Sequence, residues 1–374
     1  MKILYFFTYD YSLKTWENSG TLQRELSIYK DLISNHGYEV TLVTYGDSSD
    51  LKYLDSLSEF KILPLYTIFK KYNNSYLRFL KTIFMPFFLK QHLEDVDLIK
   101  QNQLNGVWIP LLLKKLIKKP LYLRTGFDTY LFSIEDKKSF LKKYFFKQLT
   151  KYALKNADLY TVTSHNDLSF LKNNFKTINA RLKRTQNWSL VEDIDVLDKR
   201  IDDRLFCVGR LVEQKNYLFL FEQVLELNLG IGIDIVGSGP MKKTLQDFAK
   251  KHSLDVQFLG NLTHDKLQKK YKDYKYYVLP SLYEGNPKTL IEAMANGCVA
   301  IASNINNNQE LIENGINGHL FDLLGNDFSL KLKQILENSD SQLIIQKEAI
   351  RKIKNTYSYE KVKEVIIEDF ESLC

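Results

Sequence analysis

Residues 280–297 read Pro-Ser-Leu-Tyr-Glu-Gly-Asn-Pro-Lys-Thr-Leu-Ile-Glu-Ala-Met-Ala-Asn-Gly, and they bring two carboxylates and a lysine to what reads as a helix start. Pro287 fits the first turn of a helix, where a missing N–H costs nothing. The backbone N–H groups from Asn286 to Leu290, through Gly285, Lys288 and Thr289 on either side of Pro287, would then be available to an anion, and Lys288 adds charge at the same place. Glu284 falls in the loop. Glu292 falls in the second turn, four residues from Lys288 and so on the same helix face. Two carboxylates cannot be there to hold phosphate, but they suit hydrogen bonds from sugar hydroxyls. The plainer alternative is a pair of surface glutamates matched with lysines.

Two earlier loops carry related chemistry. Gly209-Arg210-Leu211-Val212-Glu213-Gln214-Lys215-Asn216 follows an apolar run. Gly209 lets backbone approach a ligand closely, while Arg210 and Lys215 place two cations beside a helix start. That set suits a diphosphate; it also suits a solvated loop with two ordinary cations. Gly237-Ser238-Gly239-Pro240 follows another apolar run. Its glycines permit contact with a base or phosphate, or simply a tight strand-to-helix turn. A dinucleotide fingerprint would need a third glycine where Lys242 stands.

The elements that would position these loops are short strand-like runs alternating with helical patterns. That alternation predicts an α/β chain with parallel sheets. Strands are expected at Leu4–Phe7, Val40–Thr44, Ile62–Leu65, Leu98–Lys100, Leu121–Leu123 and Leu159–Val162. A helix is expected from Gly20 to Asn35, capped by Gly37, and another after Ser164. Acidic residues gather between Asn187 and Asp203, which predicts a linker. The alternation then restarts, with strands at Leu205–Val208, Ile233–Val236, Val256–Leu259, Tyr277–Leu279 and Val299–Ala302. The expected organisation is a Rossmann-like acceptor domain at 1–190, a linker at 191–203 and a Rossmann-like donor domain at 204–355. A C-terminal helix at 356–374 would pack back on the first domain. Ligands of open parallel sheets bind beyond the carboxyl ends of the strands, so chemistry is expected in a cleft where the two sets of loops face each other.

The 44% hydrophobic and 26% charged residues fit a globular chain and exclude disordered or collagen-like classes. A net charge of +7 permits anionic partners without choosing among them, and alone it is too little to argue nucleic-acid binding. Cys207, Cys298 and Cys374 match no zinc or redox spacing. Reduced thiols and a cytoplasmic setting are therefore expected. The N-terminus lacks the pattern of a signal peptide, and no apolar run is long enough to span a membrane.

With these residues in view, the chain resembles the family-4 retaining glycosyltransferases of bacterial surface-polysaccharide type, over nearly its whole length. The strongest mark is Glu284, seven intervening residues, and Glu292. Val208-Gly209-Arg210-Leu211 with Lys215, and Val236-Gly237-Ser238-Gly239-Pro240, match the family's other donor-side loops, and His36-Gly37-Tyr38-Glu39-Val40-Thr41 and Asn314-Gly315-Ile316-Asn317-Gly318 match two of its turns. The resemblance implies the GT-B fold and a nucleotide-diphosphate sugar as donor substrate, UDP- or GDP-linked, with no separate cofactor. It implies that Arg210 and Lys215 neutralise the diphosphate and that Glu292 holds the ribose hydroxyls. Glu284 and the Gly285–Leu290 backbone would hold the sugar and its phosphates, and the Gly237–Gly239 loop would lie near the base. Ser19-Gly20-Thr21 would face the diphosphate or the acceptor. Retention of anomeric configuration, by front-face attack assisted by the departing phosphate, is also implied.

The chain departs from the family at three places. Arg124-Thr125-Gly126-Phe127-Asp128 stands where many members have His-Gly, with Thr125 in the histidine position and Arg124 and Asp128 as substitutes. Asn306-Asn307 stands where many have Gly-Gly, and Gly20 is single where a pair is common. No Asp-x-Asp lies in a strand-end loop, since Asp193-Ile194-Asp195 falls in the linker. Metal-independent catalysis is therefore expected, with Arg210, Lys215, Lys288 and helix-start amides stabilising the departing charge.

Lys143, Lys147, Lys151 and Lys155 recur every four residues beside Leu141, Phe145 and Leu149. This pattern fits a basic amphipathic helix at an anionic membrane surface, or a core-facing stripe with a solvated lysine face. Residues 72–90 mix Arg78, Lys81 and Lys90 with Phe79, Phe84, Phe87 and Phe88, which suits a lipid-linked acceptor. The expected setting is a peripheral enzyme extending a glycan or lipid-linked acceptor. The rival readings are a sugar-nucleotide epimerase or phosphorylase on a similar scaffold, and a non-catalytic nucleotide-sugar binder.

Overall fold

A computed structural model describes residues 1–93, 95–192, 199–338 and 341–374. Asp193-Ile194-Asp195 therefore lies outside the described residues. The strands are β1 (Lys2–Phe6), β2 (Glu39–Thr44), β3 (Lys61–Pro64), β4 (Leu98–Asn102), β5 (Leu121–Thr125), β6 (Leu159–Val162), β7 (Arg181–Arg184), β8 (Ile201–Val208), β9 (Gly232–Val236), β10 (Val256–Gly260), β11 (Tyr274–Leu279), β12 (Val299–Ser303) and β13 (His319–Phe321). They divide between two compact units, residues 1–185 with 363–374, and residues 186–362.

The first unit holds a seven-stranded parallel sheet in the order β3-β2-β1-β4-β5-β6-β7. Its interior strand β1 is buried from Ile3 to Phe6, as a parallel strand covered on both faces must be. Gly37 ends the helix Leu22–His36 with φ 65°, the left-handed conformation that a glycine cap supplies. Ser164 caps the helix His165–Asn174 by accepting from the Asp167 N–H.

The helix expected from Gly20 to Asn35 is found at Leu22–His36, and a further short helix that was not foreseen precedes it. Leu13–Asn18 forms a short helix capped by Ser12, and Ser19-Gly20-Thr21 is the turn before Leu22–His36. Gly20 takes φ 70°, the left-handed conformation that a glycine supplies between the two helices. Strand β7, Arg-Leu-Lys-Arg, was not foreseen because it has no apolar run. It is an edge strand, where charged residues are tolerated.

The second unit holds a six-stranded parallel sheet in the order β10-β9-β8-β11-β12-β13. Strand β8 begins at Ile201, four residues before the expected start. Arg204 bridges Asp234 on β9 and Asp255, so its charge is satisfied inside a strand. Two apolar clusters cover the sheet faces, one centred on Phe206, Tyr277, Leu290 and Met294, the other on Leu205, Leu220, Ile235 and Phe328. Strand order reverses between β8 and β11, so the loops leaving those two strands flank the crevice where ligands of such sheets bind.

Candidate active site

Both loops at that switch point carry the residues singled out by type. Gly209 and Arg210 follow β8, and residues 280–287 follow β11. The loops are strapped together by backbone and side chain. Leu282 N–H donates to the Gln214 carbonyl at 2.9 Å, and Gln214 Nε2 donates to the Tyr283 carbonyl at 2.7 Å. Between them, Lys215 Nζ meets Glu284 Oε1 at 2.5 Å. The two side chains are only 11% and 8% exposed, so this pair is shielded from water, unlike the surface pairing that was the plainer expectation. Arg210 is exposed and makes no ion pair among the described residues.

The glycines have a packing reason. A side chain at Gly209 would crowd the Lys215 stem at 3.0 Å and the Tyr217 hydroxyl at 2.9 Å. A side chain at Gly237 would strike the Gly209 carbonyl, and one at Gly239 would strike the Leu211 backbone. The two loops are joined by Gly209 N–H to Val236 O at 3.0 Å and Leu211 N–H to Ser238 O at 2.9 Å. Ser238 itself is exposed. The Gly237–Gly239 loop therefore holds the Arg210 loop in position, a role the sequence reading had not separated from ligand contact. Tyr217 is buried beneath Gly209 with its hydroxyl unpartnered. Burial, and then Cys207 and Glu284, push its phenol well above the ordinary value, so it stays neutral.

The loop from Glu284 is fixed on both sides by asparagines. Asn187 donates its N–H to Asn286 Oδ1 at 3.0 Å and its Nδ2 to the Asn286 carbonyl at 2.7 Å. Asn307 Nδ2 donates to the Gly285 carbonyl. Asn286 Nδ2 is left buried without a partner, a donor available to a bound group. The helix starts at Lys288 with Pro287 as its cap, one residue later than expected. Leu290 N–H is spent on the Pro287 carbonyl at 3.1 Å, so it is not among the amides open to an anion. Thr289 Oγ1 accepts from the Tyr277 hydroxyl at 2.8 Å. Glu292 is 2% exposed and accepts from the Tyr271 hydroxyl at 3.3 Å.

The remaining predicted residues lie in the first unit. Ser19 Oγ donates to the Trp16 carbonyl at 3.0 Å and meets Thr21 Oγ1 at 2.8 Å. Arg124 and Thr125 end β5; Arg124 reaches the Thr185 carbonyl at 3.4 Å, and the buried Thr125 hydroxyl has no partner. Asp128 caps the helix Thr129–Glu135, with Oδ1 accepting from Leu131 N–H at 2.7 Å. Its Oδ2 is buried and unpartnered, and burial raises the carboxyl to about 6.

The switch point of this unit, between β1 and β4, was not foreseen from the sequence. There Tyr9 packs on Tyr45 at 5.2 Å and Trp108 at 5.4 Å between ring centres, beside an Asp10–Arg78 ion pair at 2.8 Å. Aromatic residues just after strand ends were the available signal.

Residues 195–352 match the model of the family described as glycosyl transferases group 1. Protein CapJ of Staphylococcus aureus is 26% identical, over 82% of this chain and 76% of its own length. The UDP-Gal:alpha-D-GlcNAc-diphosphoundecaprenol alpha-1,3-galactosyltransferase of Escherichia coli is 31% identical, over 43% of this chain and 44% of its own. Among solved structures, sucrose-phosphate synthase of Thermosynechococcus elongatus superposes with TM-score 0.81 at 16% identity, over 100% of this chain and 99% of that one. HepE of Anabaena in complex with UDP gives 0.75 at 16% identity, over 100% of both chains.

Proposed function

We propose that this chain, a glycosyltransferase of the two-domain GT-B fold whose residues 195–352 match the model of the group 1 glycosyl transferases, carries out a retaining, metal-independent transfer from a nucleotide-diphosphate sugar. The observation that carries the proposal is the shielded Lys215–Glu284 pair at the β8/β11 switch point, with the unpaired Arg210 beside it. Glu284 holds the Lys215 ammonium in place before substrate arrives. Arg210 and Lys215 then face the diphosphate, and Lys288 lies at the neighbouring helix start. As the bond from the anomeric carbon to the phosphate oxygen breaks, negative charge grows on the diphosphate. These preplaced cations stabilise it without reorganising. The acceptor hydroxyl attacks from the same face, its oxygen bonds the anomeric carbon, and its proton passes to the departing phosphate oxygen. Glu284, through its second oxygen, and Asn286 Nδ2 contact the sugar. Glu292 receives the ribose hydroxyls, and Ser238 lies toward the base.

The Escherichia coli relative takes UDP-Gal and a diphosphoundecaprenol-linked sugar, as its name states. A UDP-linked donor and a lipid-diphosphate or glycan acceptor in surface-polysaccharide synthesis are proposed here by analogy. The acceptor side comprises Ser19, Gly20, Thr21, Arg124, Thr125 and Asp128, together with Tyr9, Trp108 and Arg78. No described helix is long and apolar enough to cross a membrane. A peripheral site on the cytoplasmic membrane face, through Lys143, Lys147, Lys151 and Lys155, completes the proposal.

The test is product analysis with UDP-sugars and a diphosphate-lipid acceptor in the presence of EDTA. An α-linked product from an α-linked donor, formed at an undiminished rate, is expected. An inverted product or loss of activity restored only by a divalent cation would overturn the mechanism, and donor turnover without acceptor would mark an epimerase or hydrolase instead.

A further inference from the structure

Among the exposed surfaces, one in the first unit combines apolar and charged character. The helix Ser75–Thr82 and the short helix Met85–Leu89 carry Tyr76, Leu80, Phe84, Phe87 and Phe88 on or beside them, each more than half exposed. The first turns of the helix Phe140–Asn156 present Phe140, Leu141 and Tyr144, also more than half exposed. Leu149, Ala153 and Leu154 supply that helix's core contacts from its other half. The expected core-facing stripe of Leu141, Phe145 and Leu149 is thus buried only at Leu149. The two segments meet, since Phe79 packs on Phe145 at 6.2 Å between ring centres.

Charge follows the same surface. Residues 69–93 hold five Lys and Arg and no Asp or Glu; residues 137–157 hold seven and none. The chain has 52 basic and 45 acidic residues, so with these twelve set aside 40 remain against 45. The chain's excess of basic residues is thus matched by these two segments, of whose cations Arg78 pairs with Asp10 and Lys138 with Asp136.

We infer that these helices form a docking face for an anionic lipid bilayer, with the aromatic and leucine side chains at acyl-boundary depth and the lysines at the headgroups. Aromatic and lysine residues at that interface are the chemistry such surfaces use. A second copy of the same face is disfavoured, because it would set lysines against lysines. The face also leads to the site. Phe79 packs on Trp108 at 5.0 Å, and Trp108 on Tyr9 at 5.4 Å, so an aromatic series runs from the exposed patch to the loop that leaves β1. A lipid-linked acceptor anchored in the bilayer would thus meet that loop near its headgroup. The inference rests on the peripheral reading proposed above but not on the donor chemistry.

The experiment is flotation of the full chain with vesicles of phosphatidylcholine, alone or with about a third phosphatidylglycerol. Binding only to the anionic vesicles is expected, and it weakens with salt. Each lysine near such a surface contributes about fivefold, so K142Q/K143Q/K147Q/K151Q should lower the partition at least about a hundredfold. F84S/F87S/F88S, at exposed positions, should lower it about tenfold or more and abolish the part that survives high salt. A UDP thermal shift on each variant reports folding and donor binding separately from docking. Absence of wild-type flotation at low salt would overturn the inference, as would equal flotation of the phenylalanine variant. A vesicle-free dimer dissolved by that variant would instead make the face a self-association surface.

Discussion

Lys215 and Glu284 are 69 residues apart in sequence yet form one buried pair, and neither can be understood alone. A buried lysine without its carboxylate would be costly, and so would the reverse. The pair therefore fixes its own geometry, and the loops around it are fixed by neutral donors. Asn307 is one of these donors. Its Nδ2 holds the Gly285 carbonyl and so orients the peptide beside Glu284. Asn307→Asp keeps the shape but replaces the donor with an acceptor. The expected result is about a tenfold fall in kcat, larger than the change in KM, together with a lowered Tm because a buried carboxylate then faces a carbonyl; the order of the kinetic effect is that of a misplaced reacting group. Steady-state kinetics checks it, and unchanged kcat would remove Asn307 from the positioning role. Charged residues of this site were legible from residue type and spacing. The partners of Gln214, Asn187 and Asn307 were not, although Asn307 stood out by type, because a loop amide leaves no periodic signal and its partner is set only by the fold.

At the level of elements, Asp128 shows how one residue can serve a helix and a site at once. It caps the helix Thr129–Glu135 with one oxygen and buries the other unpaired. Burial raises its carboxyl from 3.8 to about 6. A group whose folded value is raised favours folding at low pH and loses that contribution as pH rises through the folded value. The window here runs from about 4 to about 6. Asp128→Asn retains a capping oxygen but cannot ionise. Wild type should therefore lose stability relative to this variant across that window, by up to about 3 kcal/mol for a shift of some two units. Denaturant unfolding at pH 4.5 and pH 7 measures it; parallel stabilities would refute the buried-carboxylate account. Strands with apolar runs were legible, β6 to the residue. The basic β7 and the three-residue β13 were not, since one has no apolar run and the other is too short to show a period. Likewise Asp202 and Asp203 suggested linker, although β8 already runs there.

On the scale of the whole molecule, the chain's last residues belong with its first sheet. The helix Tyr359–Glu371 ends in the first unit, where Asp369, 2% exposed, accepts from Lys183 at 2.5 Å and from the Tyr122 hydroxyl at 3.2 Å. Removing that carboxylate leaves a lysine and a buried tyrosine without their acceptor. Asp369→Ala should destabilise by about 3 kcal/mol, read as a lowered unfolding midpoint; a loss below about 1 kcal/mol would show that the C-terminal segment is held by apolar contacts alone. Each sheet has a switch point, between β1 and β4 in the first unit and between β8 and β11 in the second. The second unit sets Arg210 and Lys215 there, while the first carries its basic helices Ser75–Thr82 and Phe140–Asn156.

The central claim is that the β8/β11 loops bind the diphosphate of a nucleotide sugar. The most direct measurement is a thermal-shift panel of UDP, GDP, ADP and CMP on wild type, Arg210→Ala and Lys215→Ala. A ligand that binds only the folded chain stabilises it by about 2.7 kcal/mol at a hundred times its Kd. A clear upward shift with one nucleoside diphosphate, UDP being the one expected, and its loss in both variants would support the claim. An absent shift with every nucleotide in folded protein, or a shift that both variants retain in full, would contradict it.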